Sequence, residues 1–159
     1  MIVPFFITPK SEVVTLKENQ TLRQAMERME VHRYSSVPVI DDAGKYVGTL
    51  TEGDLLWKMK NTVGLNFESC SKVPLSEVPR HIKYSTVNID ADLYALLDSA
   101  AVQNFVPVID DGGIFIGIVR RRDVIGYCRK MLEQCKGICS EKFTNAKSLR
   151  DFKDASLQD

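Results

Sequence analysis

Two aspartates, Asp54 in "GTLTEGD" and Asp123 in "GIVRRRD", stand at matching places in two similar segments and offer the clearest polar chemistry in the chain. Thr51 followed three residues later by Asp54 fits a helix N-cap with a box-like carboxylate at the third helical position. An acid in the first turn also suits the positive end of the helix dipole. In the second segment Arg120 stands where Thr51 does and cannot accept an N-cap hydrogen bond, yet Asp123 is kept. A carboxylate that outlasts its capping partner points to a role other than capping.

Arg120, Arg121 and Arg122 put three consecutive cations at a helix N-terminus, against the dipole's preference for anions. Either the side chains splay into solvent, or at least Arg120 faces a bound phosphate, which its planar fork can hold with two hydrogen bonds. Cys128, Cys135 and Cys139 fall on one face if the last helix runs through "RKMLEQCKGIC". Only Cys135 and Cys139 have a metal-like spacing, with just His32 and His81 to complete a site, so an apolar packing or dimer-contact face is the expectation rather than a metal centre. No nucleophile elbow, HExxH, Walker loop or GxGxxG is present, and no pair of residues is spaced as a nucleophile with its base. The chain is not expected to be an enzyme.

The elements that carry these residues occur twice. "VPVIDD" begins at Val37 and again at Val106, an offset of 69 (106 − 37), and Gly48, Leu50, Asp54 and Leu55 then match Gly117, Val119, Asp123 and Val124. Upstream the offset is 71 (93 − 22): Leu22, Ala25, Met26 and Met29 form a helical stripe, as do Leu93, Leu96, Leu97 and Ala100. Repeat 1 therefore holds two extra residues around "EVHRYSS" (30–36). Each unit reads as strand, helix, strand, tight turn, strand, helix, with "DDAGK" and "DDGGI" as hairpin turns. The strands "VPVI", "YVGTL" and "FIGIV" are almost wholly apolar, as strands covered on both faces would be. A unit of roughly 50 residues buries too little surface to stand alone, and a second copy supplies the missing cover.

Two β-α-β-β-α units with "VPVID" followed by "GTLTEGD" or "GIVRRRD" resemble a tandem pair of CBS domains, a Bateman module, over about residues 4–130. The resemblance implies an α/β (α+β) fold of two CBS repeats packed as a pseudo-twofold pair, with repeat 1 at 1–60, a linker at 61–75, repeat 2 at 76–130 and a C-terminal helix extension with a polar tail at 131–159. It implies a regulatory module that binds an adenosine-containing ligand (AMP, ADP, ATP, S-adenosylmethionine or cyclic di-AMP), forms a homodimer and acts on an unidentified protein partner. Ala101–Ile125 is also similar to small stand-alone CBS proteins of Gram-positive bacteria, some of which bind cyclic di-AMP and report on it to a partner enzyme.

In that family the matching aspartate accepts hydrogen bonds from ribose hydroxyls, a task suited to a two-oxygen acceptor. Each pocket combines the aspartate of one repeat with the first strand and central-strand entry of the other. Carried over, Asp123 and Arg120 would share a pocket with Thr8, Lys10, Val14, Tyr34 and Ser35, and Asp54 with Thr51 would share one with Arg80, Tyr84, Val87, Asn104 and Phe105. Arg120 departs from the family's Ser/Thr, so the two pockets would differ in ligand preference. Read singly, Lys10, Arg80 and His81 are plain surface charges, and Phe105 is either an adenine-stacking ring or a buried core residue. No resident cofactor is expected, only a regulatory nucleotide. A ligand-free structural dimerisation module and an unrecognised nucleotide hydrolase are the rival readings.

Composition narrows the field. The chain is 44% apolar and 26% charged, and its 21 basic and 21 acidic residues cancel, so no whole-molecule field draws it to nucleic acid. Any anion site must be local. No apolar run approaches the roughly 18–20 residues that span a bilayer, and "MIVPFFITPK" lacks the basic and apolar regions of a signal peptide. With four cysteines expected to be reduced, the chain reads as cytoplasmic. The tail, Ser140–Asp159, is polar and reads as a loosely held helix or disorder, and as a candidate partner-binding segment.

Overall fold

The computed structural model describes residues 3–139, with side chains as far as Cys135; the expectations for the tail from Ser140, and for the side chain of Cys139, lie outside them. In chain order the elements are β1 (Ile7–Pro9), β2 (Leu16–Lys17), α1 (Leu22–His32), β3 (Ser36–Ile40), β4 (Tyr46–Thr51), α2 (Glu52–Asn61), β5 (Val87–Asn88), α3 (Leu93–Val102), β6 (Phe105–Ile109), β7 (Phe115–Arg120) and α4 (Arg121–Cys139). The described residues as far as Val124 make one compact unit, and those from Ile125 onward a second.

The β-α-β-β-α unit read from the sequence is present twice, with matched registers. β2 runs parallel to β3 with Leu16 opposite Val39, and β5 parallel to β6 with Val87 opposite Val108. The hairpins β3–β4 and β6–β7 pair Val37 with Leu50 and Val106 with Val119, and each carries an irregularity at the same place, after Val39 and after Val108. Gly44 and Gly113 close these hairpins at φ +82° and +80°, a backbone region that a Cβ disfavours. Asp41 and Asp110 brace the turns: the Asp41 carboxylate accepts from the Lys45 N–H at 2.8 Å, and that of Asp110 from the Gly112 and Ile114 N–H groups at 2.9 and 2.8 Å.

The two hairpin tips join the repeats. The Tyr46 N–H donates to the Gly113 carbonyl at 3.2 Å, and the Phe115 N–H to the Gly44 carbonyl at 2.9 Å. The ring of Tyr46 stacks on that of Phe115, centroids 6.3 Å apart.

Each helix buries the stripe its sequence marks. Leu22, Ala25 and Met29 of α1 pack with Leu16, Val37, Val39, Leu50 and Leu55, and Met26 lies against this core. In α3, Leu96 and Ala100 are buried, with Leu93 and Leu97 half-buried. The extra residues of repeat 1 lengthen α1 and bend the chain at Arg33, whose φ is +55°.

Two features break the symmetry. First, β1 lies at the start of repeat 1 but joins the sheet of repeat 2, antiparallel to β7, giving strand orders β1-β7-β6-β5 and β2-β3-β4. A Cβ at Gly117 would run into the Thr8 carbonyl oxygen and stand 3.1 Å from Pro9 Cα, so only glycine lets β1 lie there. At Gly48, the matching position of repeat 1, the neighbour is a side chain: Arg80 Cδ would be 3.1 Å from such a Cβ. Second, the segment between the repeats is built into repeat 1. Cys70, Leu75 and Val78 are buried in its core, the Leu22 N–H donates to the Val73 carbonyl at 2.7 Å, and the Leu75 N–H to that of Gln20 at 2.8 Å.

Candidate functional site

Asp54 sits at the start of α2, just after β4, and is only 1% exposed. The capping geometry read from the sequence is present in full. The Thr51 hydroxyl accepts from the Asp54 N–H at 3.1 Å and donates to Asp54 Oδ2 at 2.8 Å, while the Thr51 N–H donates to the same oxygen at 2.9 Å. The other oxygen, Oδ1, accepts from the His81 N–H at 2.9 Å and from His81 Nδ1 at 3.0 Å. Burial pushes the Asp54 carboxyl up, but the donors from His81 and Thr51 outweigh it and hold the group below its ordinary value. An ionised carboxylate only accepts, so Nδ1 carries the imidazole proton.

Arg80 precedes His81 and reaches across Gly48 of β4. Its Nε and Nη2 are buried and have no hydrogen-bond partner among the described residues. Burial raises the Tyr46 hydroxyl to about 12, its bond to Thr49 and the Arg80 charge oppose that rise, and Tyr84 adds to it. The Tyr46 and Thr49 hydroxyls are 2.7 Å apart. The Tyr84 ring tilts against Phe105, centroids 5.5 Å apart. Of the residues expected in one pocket, Tyr84 meets Phe105 directly, while His81 holds Asp54 and Arg80 acts on Tyr46.

This corrects the view of Arg80 and His81 as plain surface charges: Arg80 places two nitrogens out of solvent, and His81 holds a buried carboxylate. Phe105 takes the core alternative, being 6% exposed. Val87 is buried in β5, and the Asn104 amide is engaged by Arg121 Nη2 at 2.9 Å. Gln103, absent from the sequence reading, is a buried brace: its amide oxygen accepts from the Ser85 N–H at 2.7 Å and from its hydroxyl at 2.6 Å. A polar residue ending an apolar helix just before a buried strand was the available signal.

The matching corner of repeat 2 is built differently. Arg120 Nε donates to Asp123 Oδ2 at 2.7 Å, and Arg122 lies 3.8 Å from Oδ1. The side chain of Asp123 is 29% exposed. Arg120 therefore pairs with Asp123 through Nε. Arg121 does not splay into solvent either, since its Nε donates to the Gln103 carbonyl at 2.8 Å. The three arginines sit at the helix start because two of them have acceptors close by.

The remaining expected partners of Asp123 each have contacts of their own. Thr8 pairs across from Ile118 in β1, and the Lys10 ammonium lies beside the Gly44 turn. Val14 packs on the repeat 1 core, Tyr34 stacks on His32 with centroids 5.4 Å apart, and the Ser35 carbonyl accepts from the Glu52 N–H. Among the described residues no hydrogen bond, ion pair or ring contact joins these five to Asp123.

Among the described residues, no group of three or more His, Cys, Asp or Glu side chains is placed to hold a metal ion. Cys70, Cys128 and Cys135 are free thiols, and burial raises that of Cys70. No described helix is long and apolar enough to cross a membrane.

The CBS domain family profile matches residues 7–61 and 75–130. An uncharacterised protein of Methanocaldococcus jannaschii is 32% identical over 126 residues, which is 72% of this chain and 29% of that protein. The inosine-5′-monophosphate dehydrogenase of the same organism is 24% identical over 114 residues, 72% of this chain and 21% of the enzyme. The chain thus spans less than a third of the length of either relative. Among solved structures, the CbpB protein of Listeria monocytogenes in complex with c-di-AMP superposes with a TM-score of 0.73 at 18% identity, covering 84% of this chain and 99% of that one. CBSX2 in complex with AMP superposes with a TM-score of 0.63 at 23% identity, covering 81% and 96%. At these identities the likeness shows a shared fold.

Proposed function

The chain belongs to the CBS-domain family, and from that premise we propose that it is a regulatory module that senses an adenosine-containing ligand, AMP, ADP, ATP or cyclic di-AMP, at the corner built by Arg80 and Asp54. One observation carries this reading: the buried, unpartnered nitrogens of Arg80. Burying a guanidinium N–H without an acceptor is costly, and a phosphate at this corner would remove that cost with charge-assisted bonds. Asp54 would accept the ribose hydroxyls, and Tyr84 would border the base. The nucleotides bound by CbpB and CBSX2 support the ligand class.

The module is proposed to signal without catalysis. Ligand occupancy would favour one arrangement of the repeats and so change affinity for a protein partner, as coupling between sites requires. A homodimer is part of the proposal. Val31 and Val102 occupy equivalent positions of the two repeats and are 78% and 79% exposed. Large apolar side chains exposed at the same position of both repeats suit a surface that is covered by a second copy.

A thermal-shift panel with AMP, ATP, cyclic di-AMP and S-adenosylmethionine, with GTP as control, tests the reading. A ligand at 100 times its dissociation constant adds about 2.7 kcal/mol, a shift on the order of 5–10 °C for a domain of this size. A shift with a phosphorylated adenine ligand and none with GTP is expected. A second reading, a ligand-free dimerisation module, draws on the internal satisfaction of both aspartates. It is favoured if no ligand shifts the melting point while the chain still self-associates.

A further inference from the structure

The ligand-free chain already fills the acceptor that the proposed ribose would use. Asp54 receives four donors, two on each oxygen, and is nearly closed to solvent. Three of these belong to the frame of the fold: the Thr51 N–H and hydroxyl form the start of α2, and the His81 N–H is backbone. The fourth, His81 Nδ1, comes from a ring whose side chain is 49% exposed and which reaches the carboxylate from 27 residues away in sequence. Of the two side-chain donors, the Thr51 hydroxyl is tied into the helix cap by the Asp54 N–H, so the imidazole is the one that rotation withdraws without opening the cap. Beside it lies a cavity of about 160 Å³ lined by Trp57, Lys58, Asn61, Thr62, Pro79 and His81 itself, large enough to receive an imidazole that has left Asp54.

We propose that His81 sets the affinity of this site: its ring occupies Asp54 Oδ1 in the free chain and is displaced when ribose hydroxyls bind. This rests on the reading that Asp54 is the ribose acceptor. Every ribosyl ligand must then break the His81 bond before making its own, so part of its binding energy is offset. Removing the ring lifts that opposition for ligands that place a hydroxyl on Asp54, and leaves ligands lacking the hydroxyl unaffected.

The test is calorimetric titration of the intact protein with ATP, cyclic di-AMP and, as counterparts without a free ribose hydroxyl, 2′,3′-dideoxy-ATP and 2′-deoxy cyclic di-AMP, in the wild type, His81→Ala, His81→Phe and Asp54→Asn. His81→Ala is expected to bind whichever ribonucleotide binds the wild type on the order of tenfold more tightly. The gain for its deoxy counterpart is expected to fall below about threefold. His81→Phe, which keeps a ring but has no donor, should side with His81→Ala and serves in its place if that variant does not fold. Equal or weaker ribonucleotide binding in the folded His81 variants overturns the inference, as does an equal gain for ribo and deoxy ligands. If that happens while Asp54→Asn still loses binding, the ribose reading stands and only the role of His81 falls. If no variant and no wild-type protein binds either nucleotide, both fall together.

Discussion

The two repeats share a backbone down to the position of a bulge, yet their carboxylate corners are chemically unlike. In repeat 1 the carboxylate is sealed, capped by Thr51 and tied to His81, with the unpaired Arg80 beside it. In repeat 2 the carboxylate is half-buried and paired with the arginine that replaced the threonine. Register and core are set by apolar residues that both copies keep, such as Val37 with Val106 and Leu50 with Val119. The corners are free to diverge because a cap needs only some group that satisfies the helix start. Divergence then leaves one corner with unpartnered guanidinium nitrogens and the other with its charges paired.

The sharpest way to break this comparison is to remove each carboxylate in turn. Asp54→Ala leaves the Thr51 and His81 donors without an acceptor in a buried site and is expected to cost about 2–4 kcal/mol. Asp123→Ala removes a surface ion pair and should cost under about 1 kcal/mol. Chemical denaturation of the two variants measures both, and equal costs would erase the distinction. Gly117→Ala comes next: the added methyl collides with the Thr8 carbonyl and should cost about 1–3 kcal/mol, loosening β1 from β7. Hydrogen exchange at Thr8 and Ile118 would register the loosening.

A smaller contrast separates the caps. Thr51→Ala should cost about 1 kcal/mol, the worth of a lost N-cap, and Arg120→Ala no more than about 0.5 kcal/mol. Thermal melts of both compare them directly. The last contrast is with pH. The Asp54 carboxyl is held below its ordinary 3.8, so its contribution is complete above that value and fades as pH falls below it through the folded-state value. Acid denaturation of Asp54→Asn should show a weaker loss of stability in that range than the wild type; superimposable profiles would remove the carboxylate from the account.

Much of the fold was legible in the sequence because it rests on local rules used twice. The α1 and α3 stripes, the Asp/Gly turns and the Thr51–Asp54 box each follow from a spacing of a few residues, and repetition confirmed the units. What the sequence hid is non-local. That β1 joins the other repeat's sheet depends on Gly117 meeting Thr8, 109 positions earlier (117 − 8). The partners of Arg121 and Asp123 were likewise invisible, since a run of arginines says nothing about which carbonyl or carboxylate stands opposite. His81 and Arg80 looked like ordinary surface charges because nothing in "VPRHIKY" records that Gly48 leaves room for one and Asp54 binds the other.

The central claim, that the repeat 1 corner receives a phosphorylated adenine ligand, is tested most directly by titrating AMP, ATP and cyclic di-AMP into the wild type and Arg80→Met, which keeps the stem and removes the charge. At least one of these ligands should bind saturably to the wild type and on the order of 10–100-fold more weakly to Arg80→Met. Equal affinity in the two proteins, or no binding of any of the three to the wild type, would contradict it.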